Sequence, residues 1–271
     1  VFSPYYAWAN RRHPAAAEDF CAMNIVLYRK SGGVWAMTER GRGSLRRGAD
    51  HLSIGPSDLH WDGSALIARL DEIAVPIPRR LRGTLRLTPL NLQPRTFQLD
   101  AAGRHRWRPI APAARIEVAF EKPESRWQGA AYFDTNSGDG PLAEDFSTWH
   151  WSRAATPTGA TVLYDVARRD GSYLNLALKI GADGMARDFA PPPSHPLPAT
   201  VWRVRRRTRA DSGTSPRVIQ TLEDAPFYAR SRIATRLDGV TAEAIHESLD
   251  LNRFASPLVR ALLPFRMPRR G

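Results

Sequence analysis

Apolar residues recurring at every second position limit what this chain can fold into more than any other feature. Ile116, Val118 and Phe120 alternate with Arg115, Glu117 and Ala119, and Leu174, Leu176, Leu178 and Ile180 with Asn175, Ala177 and Lys179. Val162, Tyr164 and Val166 repeat the pattern, as do Leu249 and Leu251. A strand points successive side chains to opposite sides, so a period of two predicts strands with one buried face. Turn signals separate the runs: Ser31-Gly-Gly33, Asp62-Gly63, Ala102-Gly103, Asp170-Gly171, Asp183-Gly184 and Asp238-Gly239. Helical stretches are few. The pattern predicts an all-β barrel or sandwich with few short helices, and not an α/β fold. Its best internal break is Gly138-Asp-Gly-Pro141, which divides the chain into β domains over residues 1–140 and 141–271, the second with a basic tail.

Within this framework two pairs of chemically capable side chains stand at i and i+2: His105 with Trp107, and Tyr132 with Asp134. If both segments are strands, each pair shares a face. An acid, aromatic surface and hydrogen-bonding groups then converge, and that set suits protonation of an apolar alkene. The residue pattern equally allows Asp134 to end a strand and cap a turn over residues 135–138, a common use of Asp.

Composition excludes several classes. A chain of 271 residues that is 42% hydrophobic and 24% charged has the make-up of a globular protein with a sizeable core. Cys21 is the only cysteine, which rules out an intrachain disulfide and a zinc site built from several cysteines. The seven histidines are dispersed without metal-ligand spacing, so neither a metal nor another cofactor is expected. Motifs for a serine-hydrolase elbow, a phosphate loop and a dinucleotide fold are missing. The carboxylate neighbours Glu144-Asp145 and Glu223-Asp224 would point to opposite faces of a strand, a poor glycosidase arrangement. No apolar run approaches the ~20 residues of a spanning helix. The sequence starts at Val1 without an initiator Met or signal-like segment, as a trimmed chain would, so a targeting signal upstream is compatible with it.

Thirty-nine Lys and Arg against 27 Asp and Glu give a net charge of +12, which draws the surface toward polyanions. The Arg pairs are scattered and no nucleic-acid-binding motif accompanies them, so nucleic acid is not expected as a partner. In the run around Val204, the residues Trp202, Val204 and Arg206 read as one face of a strand, its other side solvated. The C-terminal stretch Ser256 to Arg270 mixes bulky apolar residues with Arg260, Arg266, Arg269 and Arg270. Pro264 and Pro268 limit it to a helical turn over residues 257–263 and a basic hook. Such a segment either rests in an anionic membrane surface or packs as a tail with its arginines exposed.

Aromatic density adds Tyr5, Tyr6, Trp149, Trp151 and Tyr164 as candidates for lining a shared substrate cavity. Here the chain resembles a known family. Val1-Phe-Ser-Pro-Tyr-Tyr-Ala-Trp8, Trp35-Ala-Met-Thr-Glu-Arg40, Ile54-Gly-Pro-Ser57, Trp61-Asp-Gly63, Gly103-Arg-His105, Trp149-His-Trp-Ser-Arg153, Leu222-Glu-Asp-Ala-Pro-Phe-Tyr-Ala-Arg-Ser231 and Leu263-Pro-Phe-Arg-Met-Pro268 look like the acyclic carotenoid 1,2-hydratases, also called hydroxyneurosporene synthases, of phototrophic bacteria. The resemblance implies two lipocalin-like β-barrel halves and a cofactor-independent hydro-lyase. It also implies an acyclic carotenoid substrate, such as neurosporene or lycopene, and peripheral attachment to the cytoplasmic side of the inner or intracytoplasmic membrane. The family's His-x-Trp and Tyr-x-Asp residues fall on His105, Trp107, Tyr132 and Asp134, with the Asp as proton donor. Adding water to a terminal trisubstituted alkene needs a proton at the less substituted carbon, a tertiary cation at the other, and then water. A carboxyl group in an apolar pocket keeps its proton for this task. Two alternatives share the fold: a carrier that returns an apolar ligand unchanged, and a polyene cyclase.

Overall fold

The alternation becomes long antiparallel strands. The computed structural model describes residues 2–29, 32–157 and 159–270; Ser31, the first residue of one expected turn, and Val1 lie outside them. Two units divide the chain, interleaved in sequence: Val1–Pro89, Ala114–Ala131 and Arg260–Gly271 form unit 1, and Leu90–Ala113 with Tyr132–Val259 form unit 2. A single boundary near residue 140 was expected. The difference arises because two unusually long strands each run through both units, a device that turn spacing does not reveal.

Unit 1 opens with helix α1 (Pro4–Ala9), capped by Ser3, whose hydroxyl accepts from the Tyr6 N–H. Strands β1 (Cys21–Leu27), β2 (Val34–Arg40), β3 (Leu45–Arg47), β4 (His51–Ile54), β5 (Ser57–Trp61), β6 (Leu66–Ile73) and β7 (Arg80–Pro89) follow. Then come β8 (Phe97–Gln98), which belongs to unit 2, and the two long strands divided between the units, β9 (His105–Lys122) and β10 (Glu124–Gly138). One sheet has the order β10-β9-β7-β6-β5-β4-β3, with β8 on the start of β9. Ile25, Ala36, Leu70, Leu81, Val118 and Phe120 form the core of unit 1. A buried Arg40–Glu72 pair, 2.7 Å at its shorter contact and supported by Ser57, lies beside it.

Unit 2 is built on a seven-stranded antiparallel sheet. Helix α2 (Leu142–Asp145) leads into β11 (Phe146–Thr156), β12 (Gly159–Arg168), β13 (Tyr173–Ile180) and β14 (Ala186–Asp188). A separate hairpin of β15 (Ser194–Leu197) and β16 (Arg206–Arg209) precedes β17 (Arg217–Asp224), β18 (Tyr228–Leu237) and β19 (Val240–Asp250). The order is β14-β13-β12-β11-β19-β18-β17, an open path in which no described pairing joins the two edges. The fold class is therefore β-rich and antiparallel as expected, while barrel closure is not among the pairings described. Asp238-Gly239 makes the two-residue β18–β19 turn with both residues at positive φ (55° and 75°), the conformation such hairpins favour.

Three local expectations change. Leu251 does not continue the β19 alternation, because Asp250 caps a short helix, α3 (Leu251–Phe254). The run from Trp202 to Val204 is a turn rather than a strand; Val204 is buried, and so is Arg206, whose guanidinium donates to Pro198, Thr221 and Ser231. Arg205 and Arg207, on the side expected to be solvated, are exposed, while Trp202, expected on the face of Val204 and Arg206, is exposed as well. At the C-terminus α4 (Pro257–Leu262) gives way to a 3-10 turn and to β20 (Arg269–Arg270), which pairs in parallel with β2. Arg269 is not an exposed basic hook: it pairs with buried Glu39 and lies over Phe20. Among the described residues no helix is long and apolar enough to cross a membrane.

Candidate active site

Strand register in unit 2 assembles one aromatic row. Trp151 pairs with Tyr164 on one side and Glu247 on the other, and Glu247 pairs with Arg230. Directly opposed residues share a face, so Tyr164, Trp151, Glu247 and Arg230 cross four strands on a single side. Trp149 lies two residues before Trp151 on that side, 6.1 Å from the Tyr164 ring.

The first part of β9 and the end of β10 bring the other partners. Trp107, fully buried and opposite Phe97 in the β8–β9 pairing, places its ring 5.1 Å from Tyr164. Tyr132 places its ring 5.2 Å from Trp151. Between them stands Asp134. The Trp107 indole N–H donates to Asp134 Oδ2 at 2.7 Å, and the Tyr132 hydroxyl donates to the same oxygen at 2.9 Å. β10 runs on through Gly138, so Asp134 is an in-strand residue and not a turn cap.

Burial pushes the Asp134 carboxyl group above the ordinary carboxylate range, outweighing the two hydrogen bonds and the nearby charge of Arg230. Burial first, and the neighbouring Asp134 second, push the Tyr132 phenol upward, so it stays a donor. Tyr164 is raised for the same reasons and donates to Asn136 Oδ1 at 3.3 Å. Arg153 reaches over the Tyr132 ring and donates to the Pro112 carbonyl; burial lowers its pKa.

His105 shares the strand face of Trp107, yet its hydrogen bond goes elsewhere. Its Nε2 lies 2.7 Å from Asp145 Oδ2, with Arg104 also pairing Asp145. Its backbone N–H donates to Asp100, and its ring packs on Phe146 at 4.9 Å. A Cβ on Gly138 would collide with its Nδ1, so only glycine leaves the imidazole this position. His105 is thus wedged among Gly138, Asp145 and Phe146. Tyr5 and Tyr6 belong to unit 1, where Tyr5 donates to the Met267 carbonyl and Tyr6 packs on Phe20. Asp165, next to Tyr164 in the chain, faces the opposite side of the sheet and is held by Arg209 at 2.8 Å.

Glu247 and Arg230 were not singled out from the sequence. Their signal was present: Glu247 occupies the same alternation as Leu249, an acid where an apolar residue is expected. Among the described residues no group of three or more His, Cys, Asp or Glu is placed to hold a metal ion.

A carboxyl group raised above its ordinary range by burial, set among indole and phenol rings on an antiparallel β scaffold, defines the candidate site. The carotenoid hydratase CrtC family profile matches residues 1–271, and the chain belongs to that family of hydro-lyases. It is 53% identical over its whole length to an acyclic carotenoid 1,2-hydratase of Thiocapsa roseopersicina, covering 67% of that protein. It is 43% identical to the enzyme of the same description from Cereibacter sphaeroides, covering 95% of it. In fold it is similar to a crystallised AttH-type protein of Nitrosomonas europaea (TM-score 0.57, 15% identity, 80% of this chain and 76% of that one).

Proposed function

We propose that this enzyme hydrates the terminal 1,2 double bond of an acyclic carotenoid, with Asp134 as the proton donor. The observation that carries the reading is the pair of neutral donors on Asp134 Oδ2. With the lone pairs of Oδ2 taken by Trp107 and Tyr132, the acidic proton resides on Oδ1. Burial keeps that proton in place until an alkene is presented. When it leaves for the less substituted carbon, the new carboxylate is met by two preformed hydrogen bonds, which stabilise the charge as it develops. The tertiary cation is stabilised by the faces of neighbouring indoles and phenols, at about 0.5–2 kcal/mol per contact. Water then adds to give the tertiary alcohol. The reaction consumes only water and recycles a proton, so its chemistry calls for no cofactor.

Incubation with lycopene or neurosporene in detergent tests this. The product gains the mass of one water and, in heavy water, one deuterium on the carbon beside the alcohol. Asp134→Asn abolishes this gain while the spectral shift of bound carotenoid persists. Unchanged polyene recovered from the wild type identifies a carrier instead, and a product of unaltered mass identifies a cyclase. A lipocalin-like curvature of each unit about its inner face, resembling two barrel halves, belongs to the same reading.

We further propose attachment to an anionic membrane surface, where such substrates dissolve, on the cytoplasmic side. Supporting this, Phe265 is 74% exposed and Leu262 40% exposed, with Arg260 and Arg266 close by in sequence. Each Arg near such a surface contributes about 1 kcal/mol. Removing the tail would also remove β20, so the informative variant is Phe265→Glu. It should weaken pelleting with anionic liposomes and leave activity on detergent-dispersed substrate intact; unchanged pelleting refutes this attachment.

A further inference from the structure

A second carboxyl group faces the aromatic row. Glu247 stands opposite Trp151 on β11 and opposite Arg230 on β18, on the side where the rings of Trp151 and Tyr164 pack against the two donors of Asp134. Tyr164 stands across from Trp151, whose other neighbour is Glu247, and its ring meets that of Trp107, a donor to Asp134, so the two carboxyl groups border one aromatic row. Their partners differ. Asp134 is hydrogen-bonded by neutral groups, whereas Glu247 Oε1 has the Arg230 guanidinium 3.3 Å away. Tyr228, two residues from Arg230 on the same side of β18, also hydrogen-bonds Glu247. About a quarter of the Glu247 side chain remains accessible to water.

Protonating the alkene completes only half of a hydration. A water must be held against the cation, and its surplus proton must be accepted. Asp134 has just become a carboxylate capped by Trp107 and Tyr132, while His105 is engaged by Asp145. A carboxyl group facing a guanidinium and reachable by water meets both needs: burial raises the Glu247 pKa, which makes its carboxylate a stronger base, while Arg230 and Tyr228 favour the anion. We propose that Glu247, paired with Arg230, binds the water that adds to the carbocation and takes its proton. In this step the Asp134 O–H and the alkene π bond break and a C–H bond forms at the less substituted carbon. A C–O bond forms from water to the tertiary carbon, and the water proton passes to Glu247. Return of a proton from Glu247 to Asp134 restores the starting state, so the net reaction is alkene plus water to alcohol.

The proposal rests on Asp134 being the acid, and isotope partitioning separates the two roles. In heavy water a cation that fails to capture water reverts to polyene and retains deuterium. Glu247→Gln should lower alcohol formation by about 10², the low end for a general base. It should also raise the ratio of deuterium in recovered polyene to alcohol at least tenfold over the wild type. Should Glu247→Gln not fold, Glu247→Asp keeps the charge for Arg230 but withdraws the base by one methylene, and its ratio should rise in the same direction. A ratio that stays at the wild-type value in these variants, whether hydration is kept or falls in parallel with exchange, overturns the role of Glu247. Asp134→Asn should lose alcohol and deuterium exchange together; if it retains both, the failure lies with Asp134 as acid.

Discussion

The two faces of the unit 2 sheet each bury an aspartate, and they treat it in opposite ways. On one face Asp134 meets an indole N–H and a phenol, with aromatic rings around it. On the other, Asp165 meets the Arg209 guanidinium, in a polar row with His150 and Ser248 across the strands. Burial raises both carboxyl groups, yet only Asp165 has a full positive charge bound against it. Neutral donors leave a proton in place and stabilise the anion once it is gone; a guanidinium holds a permanent anion. In the proposed mechanism the partner's charge, more than depth of burial, separates the carboxyl group assigned to the chemistry from the one assigned to structure.

Exchanging each aspartate for asparagine should show the largest contrast. Asp134→Asn should reduce hydration by at least ~10², the lower range for a general acid. It should not destabilise the fold at neutral pH. The raised pKa means stability is greatest below the unfolded value and is lost as pH rises through the folded one, so removing the ionisable group relieves that cost. Equal activity in wild type and variant, measured as alcohol formed, would erase the contrast between faces. Trp107→Phe and Tyr132→Phe each delete one donor to Oδ2. A hydrogen bond to a charged group contributes ~1.5–3 kcal/mol, so each should slow the reaction about tenfold to a hundredfold. Loss in KM alone, with kcat preserved, would mean that these groups only bind substrate.

The second face should respond in stability and not in chemistry. Asp165→Asn breaks a mostly buried ion pair and should cost about 3 kcal/mol, read as a lower Tm with hydration nearly unchanged. The smallest effect is one of pH. His150 and His246 stack at 6.1 Å, and burial lowers their pKa values to about 3 and about 4. Both are neutral in the fold, so their stabilisation is complete above the ordinary histidine pKa near 6.5 and is lost as pH falls toward the folded values. The slope approaches ~1.4 kcal/mol per pH unit for each histidine. His246→Gln should flatten the acid side of the Tm-against-pH curve; an unaltered curve would remove this face from the pH response.

Much of the fold and half of the site were legible from the alternation. Period two located β9, β12, β13 and β19, and Asp-Gly pairs located the hairpins, because both are local consequences of strand geometry. Strand parity alone put Tyr132 with Asp134, and His105 with Trp107, on one face of each strand, whereas the contact of Trp107 with Asp134 needs the two strands to come together. What stayed hidden depends on register between distant strands. Nothing local reveals that Glu247 sits opposite Trp151, that His105 turns to Asp145, or that Arg269 returns to Glu39. The interleaving of the two units was hidden for the same reason, since β9 and β10 read as strands whichever unit their halves join.

The claim on which the account turns is that Asp134 holds a proton at neutral pH in the resting enzyme. Carbon-13 NMR of aspartate carboxyl groups, with signals assigned through Asp134→Asn and Asp165→Asn, reads this directly. The account predicts an Asp134 signal that titrates above the ordinary carboxylate range and higher than Asp165, and that still reports the protonated form where the enzyme is active. An Asp134 signal already ionised at the normal carboxylate pKa would contradict it, and the proton for the alkene would then come from another group.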